Sequence, residues 1–162
     1  MFKKGDKVCH PMHGAGIIED IEQKELFGEK QEFYVIHIPL SRMKLMVSKE
    51  KAEEVGIRQV QNEKGIEGIM KVLSGISTTM PENWTKRYKE NIEKITSGDV
   101  GEVAQTVKNL YMRETKKGLS VMEKKLLTNA KQILVSELIM SKNIEKERAE
   151  EIIEDALLKE KK

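Results

Sequence analysis

The 162-residue chain has one cysteine, three prolines, three histidines and one tryptophan, and aromatics make up only 4% of it. A lone cysteine excludes an internal disulfide and fits a reducing compartment. No run approaches the roughly 20 apolar residues of a membrane helix, and the first residues do not resemble a secretory leader. The expectation is a soluble, cytoplasmic protein with no membrane partner. Neither GxxxxGK[ST] nor GxGxxG occurs, so no phosphate-cradling loop is legible. Cys9, His10 and His13 invite a metal reading. Zinc needs three or four converging ligands, there is no second cluster, and strand alternation would turn Cys9 and His10 to opposite faces. Nothing marks Cys9 as a low-pKa nucleophile. Carboxylates are plentiful, but most alternate with lysines as on solvated helix faces. The sequence predicts no enzyme, no metal, no cofactor and no small-molecule substrate.

What is present is charge and a modest supply of apolar residues, at 35% and 38%. That length and composition suit one domain or two small ones. The net charge is only +2, but it is unevenly spread. Residues 1–62 balance ten cations with ten anions, 108–131 carry seven cations against two anions, and 132–162 carry six against eight. A local basic surface suits weak phosphate binding, although a solvated helix face would look the same.

The pattern changes character near residue 60. Lys7–His10, a stretch beginning at Ile17, 32–38 and 43–47 read as short strands, and the last alternates Met43, Leu45 and Val47 with Lys44 and Met46. Pro11 and Pro39 end strands, while His13-Gly14-Ala15-Gly16 and Leu26-Phe27-Gly28 read as turns. Short strands and tight turns in under 60 residues suggest a small SH3/Tudor-like β-barrel. Beyond Arg58 the spacing becomes helical. Ile66, Ile69, Met70 and Leu73 form one stripe, and Trp84, Tyr88, Ile92 and Ile95 a second. Asp99 reads as an N-cap, Ser120 with Glu123 as a capping box, and Asn143 as the cap of a last helix. The fold class is therefore α+β in two domains, a barrel over 1–58 and an all-α domain over 59–162.

Trp84 sits in Pro81-Glu82-Asn83-Trp84-Thr85-Lys86-Arg87-Tyr88-Lys89, beside three cations at the start of a predicted helix. The wheel places its ring on an apolar stripe, as a core anchor would be. Its place in the first turn also allows the ring to be presented outward, with the cations beside it holding phosphates.

Phe2-Lys3-Lys4-Gly5-Asp6-Lys7-Val8 with Pro11-Met12-His13-Gly14-Ala15-Gly16 resembles the N-terminal motif of the CarD/CdnL transcription regulators, a module shared with transcription-repair coupling factor. Asn83-Trp84-Thr85-Lys86-Arg87-Tyr88-Lys89-Glu90-Asn91, then Ser97-Gly98-Asp99-Val100, resembles the C-terminal domain of CarD/CdnL and not the coupling factor. Ala130–Leu138 continues the likeness, which covers roughly residues 1–140.

The resemblance implies a bacterial RNA polymerase-binding factor. Its Tudor-like domain would dock on the polymerase β subunit through Lys24, Glu25, Leu26 and Met46. Met46 stands where the family often has arginine, and a methionine cannot make a bidentate pair with a carboxylate. The helical domain would contact promoter DNA weakly and without sequence preference. Trp84 would act as a minor-groove wedge at the upstream bubble edge, with Lys86, Arg87 and Lys89 on phosphates, stabilising the open complex. Two other readings remain: a stand-alone DNA-binding protein, and a structural adaptor in which Trp84 is buried.

Overall fold

The structure, a computed structural model, describes residues 1–159. Five antiparallel strands come first: β1 (Lys7–His10), β2 (Gly14–Leu26), β3 (Glu29–Ile38), β4 (Met43–Ser48) and β5 (Arg58–Gln59). A one-turn helix, α1 (Ala52–Val55), separates β4 from β5. Then follow α2 (Glu63–Leu73), α3 (Trp84–Thr96), α4 (Val100–Lys116), α5 (Val121–Lys142) and α6 (Lys146–Leu158). The α+β class holds, but the closed barrel does not. The sheet order is β4-β3-β2-β1-β5, so β4 and β5 remain edges and the sheet is open. β5 is only two residues long and pairs with β1 alone. The expected division between residues 58 and 59 falls inside that strand.

Both faces of β1 and β2 are used. Strand alternation sends Val8 and Ile18 into a small core with Tyr34, Ile36, Ile38 and Val47. Cys9 and Ala15 face the other way, into the main core formed by Ile69, Val107, Leu134, Ile153 and their neighbours from the helices. This close approach explains the glycine motif better than turn freedom alone. A Cβ on Gly14 would stand 2.6 Å from the Ser136 hydroxyl oxygen on α5, and one on Gly16 would overlap the His37 carbonyl. Without those side chains, the Ala15 N–H can donate to Ser136 Oγ at 2.8 Å.

Polar contacts complete the junction. Arg58 Nη1 and Nη2 donate to the fully buried Glu137 at 2.8 and 2.7 Å, and the Gln61 N–H donates to the same carboxylate at 2.8 Å. A buried charge is tolerated only when paired and hydrogen-bonded, and Glu137 is both. Lys7 Nζ reaches the Met140 carbonyl at 2.8 Å, and Ser141 Oγ donates to the Gln61 carbonyl at 2.6 Å. Cys9 lies beside this pair, and burial with the nearby Glu137 pushes its thiol up to about 12. A thiol held protonated is a poor nucleophile.

Helix ends mostly follow their sequence signals. Asp99 accepts from the Gly101 and Glu102 N–H groups, and Ser120 with Glu123 forms the expected capping box. Asn143 is a correction. It ends α5 in the left-handed region, at φ 53°, and does not open α6. Asparagine tolerates both roles, so residue type alone could not separate them.

Candidate nucleic-acid interface

α3 begins at Trp84 because Asn83 caps it, accepting from the Lys86 N–H at 3.1 Å. A residue in the first position has no preceding helical turn to cover it, and Trp84 is 47% exposed. No acidic residue occupies the first turn, which leaves the helix's positive end without a carboxylate inside it, and Glu82, just ahead of the cap, lies 4.0 Å from Lys117. Lys86 and Lys89 are exposed as well.

Arg87 is a correction. The inward face of α3 runs Arg87, Asn91, Ile95, which is the expected stripe rotated by about one residue. Arg87 is 3% exposed and is not offered to a phosphate. Its Nε and Nη2 donate to Glu123 at 2.7 and 2.8 Å, while Nη1 donates to the carbonyls of Pro81 and Glu82. Burial works against the Glu123 carboxylate's charge, but the bonds from Arg87 and Ser120 outweigh it and hold the group below its usual range. In the sequence Glu123 reads only as part of a capping box, and its second partner carries no sequence signal. The pair joins helices 36 residues apart along the chain.

The rotation leaves Tyr88 and Ile92 half-buried on the outer shoulder of α3. With Met122, Lys125 and Asn129 of α5 and Met12 of the β1–β2 turn, they line an open groove of about 300 Å³. The opposite shoulder is acidic on balance, carrying Glu90, Glu93 and Lys94 near Glu102. Lys86 and Lys89 lie four residues before Glu90 and Glu93, so both fall toward that acidic side and not in the groove. Of the four residues expected to meet DNA, Trp84, Lys86 and Lys89 are exposed, but Lys89 follows Trp84 by five positions, about 140° around the helix, so the ring and that lysine do not share one face.

The groove's Met12 is held through His10, whose Nδ1 accepts from the Met12 N–H at 3.0 Å. Burial, reinforced by His13 with its ring 4.7 Å away, lowers His10 to about 4. A depressed histidine contributes stability that is present above its unfolded value near 6.5 and is lost as pH falls toward 4. Because His10 is only half-buried, the expected loss is about 1 kcal/mol, well below the full linkage value. Urea denaturation at pH 7 and 4.5 measures it. His10→Gln should narrow the wild-type difference, and an unchanged difference would refute this assignment.

At the far end of the sheet, β2 and β3 form a hairpin that is exposed from Glu22 to Lys30 apart from the half-buried Gln31 beyond it. Pairing puts Lys24 opposite Gln31 and Leu26 opposite Glu29, on the same face as Val35 and Met46. Glu25 alternates to the other face. Met46 is 42% exposed and Leu26 41%. Their pairing partners lie six residues apart on β3, so about 20 Å separates them and only a broad partner would touch both. Phe27 was read from sequence only as part of a turn. It is fully exposed at the tip, and it and Gly28 both take positive φ, at 53° and 81°. A two-residue turn of that kind favours asparagine in the first place, and a bulky residue there is strained.

Comparison with known proteins agrees with both halves of this arrangement. Residues 2–61 match the family model for the CarD-like/TRCF RID domain, and residues 68–154 match that for the CarD C-terminal domain. The chain belongs to the CarD/CdnL family. It is also 40% identical over 144 residues to the Bacillus subtilis (strain 168) protein named "Putative transcription factor YdeB", covering 89% of this chain and 94% of that protein. Members of this family are transcription regulators, and no described helix here is long and apolar enough to cross a membrane.

Proposed function

We propose that this protein is a cytoplasmic transcription regulator that docks on the RNA polymerase β subunit and stabilises the promoter open complex. Residues 1–58 form the docking module and 59–162 the DNA-facing one. Trp84 is the wedge at the upstream bubble edge, Lys89 and Lys86 hold phosphates, and no catalysis is involved. The observation that carries the reading is the exposure of Trp84 at the positively polarised end of α3. An adaptor that kept its tryptophan buried would not present the ring this way. A ring entering an already distorted base step meets a reduced unstacking cost, on the order of a few kcal/mol at an intact step. Two exposed lysines give weak, sequence-independent binding, and tethering to polymerase supplies the effective concentration that weak contacts need.

On the docking side, the exposed face of the hairpin supplies Lys24, Leu26 and, farther along, Met46, with Glu25 at the tip on the other face. Phe27 adds a large apolar side chain that is fully exposed. Phe27→Asn separates display from stability because the two effects have opposite signs. Asparagine suits the left-handed position, so thermal stability should hold or rise. Loss of an aromatic anchor should weaken capture of core polymerase by roughly tenfold or more. Leu26→Glu should weaken it too, by placing an uncompensated charge at an apolar contact. If both variants bind polymerase like the wild type, the hairpin is not the docking element.

A further inference from the structure

The groove between α3 and α5 lies on the shoulder of α3 that also carries the wedge. Trp84, Tyr88 and Ile92 succeed one another at four-residue intervals, so a strand leaving Trp84 along the helix passes directly over it. Tyr88 contributes a half-buried ring, while Met12 and Met122 are each about half exposed, at 46% and 49%. Methionine adapts its shape and makes favourable contacts with flat rings. Polar groups are few: Lys125 and Asn129 are exposed on α5, and Thr96 on α3 spends its hydroxyl proton on the Ile92 carbonyl. Lysine offers a cation to a phosphate, and the asparagine amide can both donate to and accept from a base edge.

Charge decides what kind of occupant suits it. Among the described residues no carboxylate lines the groove, whereas on the other shoulder Glu90 and Glu93 of α3 and Glu102 of α4 outnumber the one cation lining it, Lys94. A polyanion is repelled on one side and admitted on the other. Resting on the proposed role of Trp84, we propose that this groove receives an unpaired nucleobase at the edge of melted DNA. The base would stack against Tyr88 and the two methionines, with Lys125 on its phosphate. Such a site would capture a base freed next to the wedge, and it would tolerate any base because each offers a flat face.

The test compares three labelled DNAs binding to the full chain at low ionic strength, where phosphate contacts are strongest. One is a blunt duplex. The second is a fork with an unpaired base at its junction, and the third is the same fork with an abasic residue there. Wild type should bind the fork about tenfold tighter than the abasic fork, near the low end of what stacking one base contributes. The double variant Met12→Ala/Met122→Ala, confirmed folded by its thermal transition, should bind both forks equally and at the abasic level. Wild type that binds the two forks equally would overturn the proposal, as would a preference that survives in the double variant. A double variant that keeps the preference but loses polymerase capture would assign the groove to a protein partner instead. Trp84→Ala should weaken all three DNAs and keep the fork preference. If it leaves all three unchanged, the wedge reading fails with it, whereas failure at the fork comparison alone leaves the wedge standing.

Discussion

Trp84→Ala is expected to leave polymerase capture intact and to shorten the life of the promoter open complex. The first half follows from distance along the fold, since docking is assigned to the β2–β3 hairpin and the wedge to the start of α3. The second follows from what the ring would do. A wedge that opposes reannealing by only ~1.4 kcal/mol lengthens the lifetime about tenfold. Stability should change little. A fully buried aromatic costs roughly 3–5 kcal/mol on truncation, but Trp84 is 47% exposed and leaves no sealed cavity behind. Decay of the open complex under heparin challenge measures the functional effect, and thermal unfolding measures the structural one. A folded variant with normal decay would remove the wedge role.

Much of this arrangement is legible in the sequence. The strand at 43–47 follows from alternation and that at 32–38 from β-branched and aromatic residues, whereas β2 begins at Gly14, inside the stretch that reads as a turn. Caps at Asp99 and Ser120 follow from side chains that bond the backbone locally. These signals are short-range, so sequence carries them directly. What it did not carry depends on distant partners. The outward placement of Trp84 and the inward placement of Arg87 arise together, because a rotation of α3 by about one residue decides both. That rotation is set by Glu123 on another helix. An arginine in a basic stretch reads as surface by default, since burying its charge costs several kcal/mol without a partner. The partner was visible in sequence only as a helix cap. Closure of the sheet failed for a related reason. The second face of β1 and β2 is covered by α5, so covering it does not require the strands to curl into a barrel. Phe27 carries no sequence signal of its own because a turn signal describes backbone, and its exposure is a property of where the hairpin points.

The Arg87–Glu123 pair leads to the largest stability effect expected of any single substitution considered. Glu123 is fully buried and accepts from Arg87 Nε and Nη2 and from the Ser120 hydroxyl. Glu123→Ala would remove that carboxylate and strand a guanidinium that is 3% exposed. Breaking a buried pair from one side costs about 3–5 kcal/mol, a large share of the 5–15 kcal/mol that holds a typical domain together. For a chain of this size the unfolding midpoint should fall by roughly 6–20 °C. Acid should act in the same direction. The carboxylate is held below its usual range when folded, so its contribution is present above the unfolded value and is lost as pH falls through the depressed one. The pair also positions the wedge, because Arg87 grips the carbonyls of Pro81 and Glu82 just ahead of Trp84 while anchored to α5. Replacing both partners, as Arg87→Met/Glu123→Leu, should recover much of the lost stability, since an apolar pair of similar volume avoids the stranded charge. It would not recover the grip on Pro81 and Glu82. The double variant should therefore fold, capture polymerase normally and still form short-lived open complexes. A double variant with full open-complex lifetime would show that the pair serves stability alone.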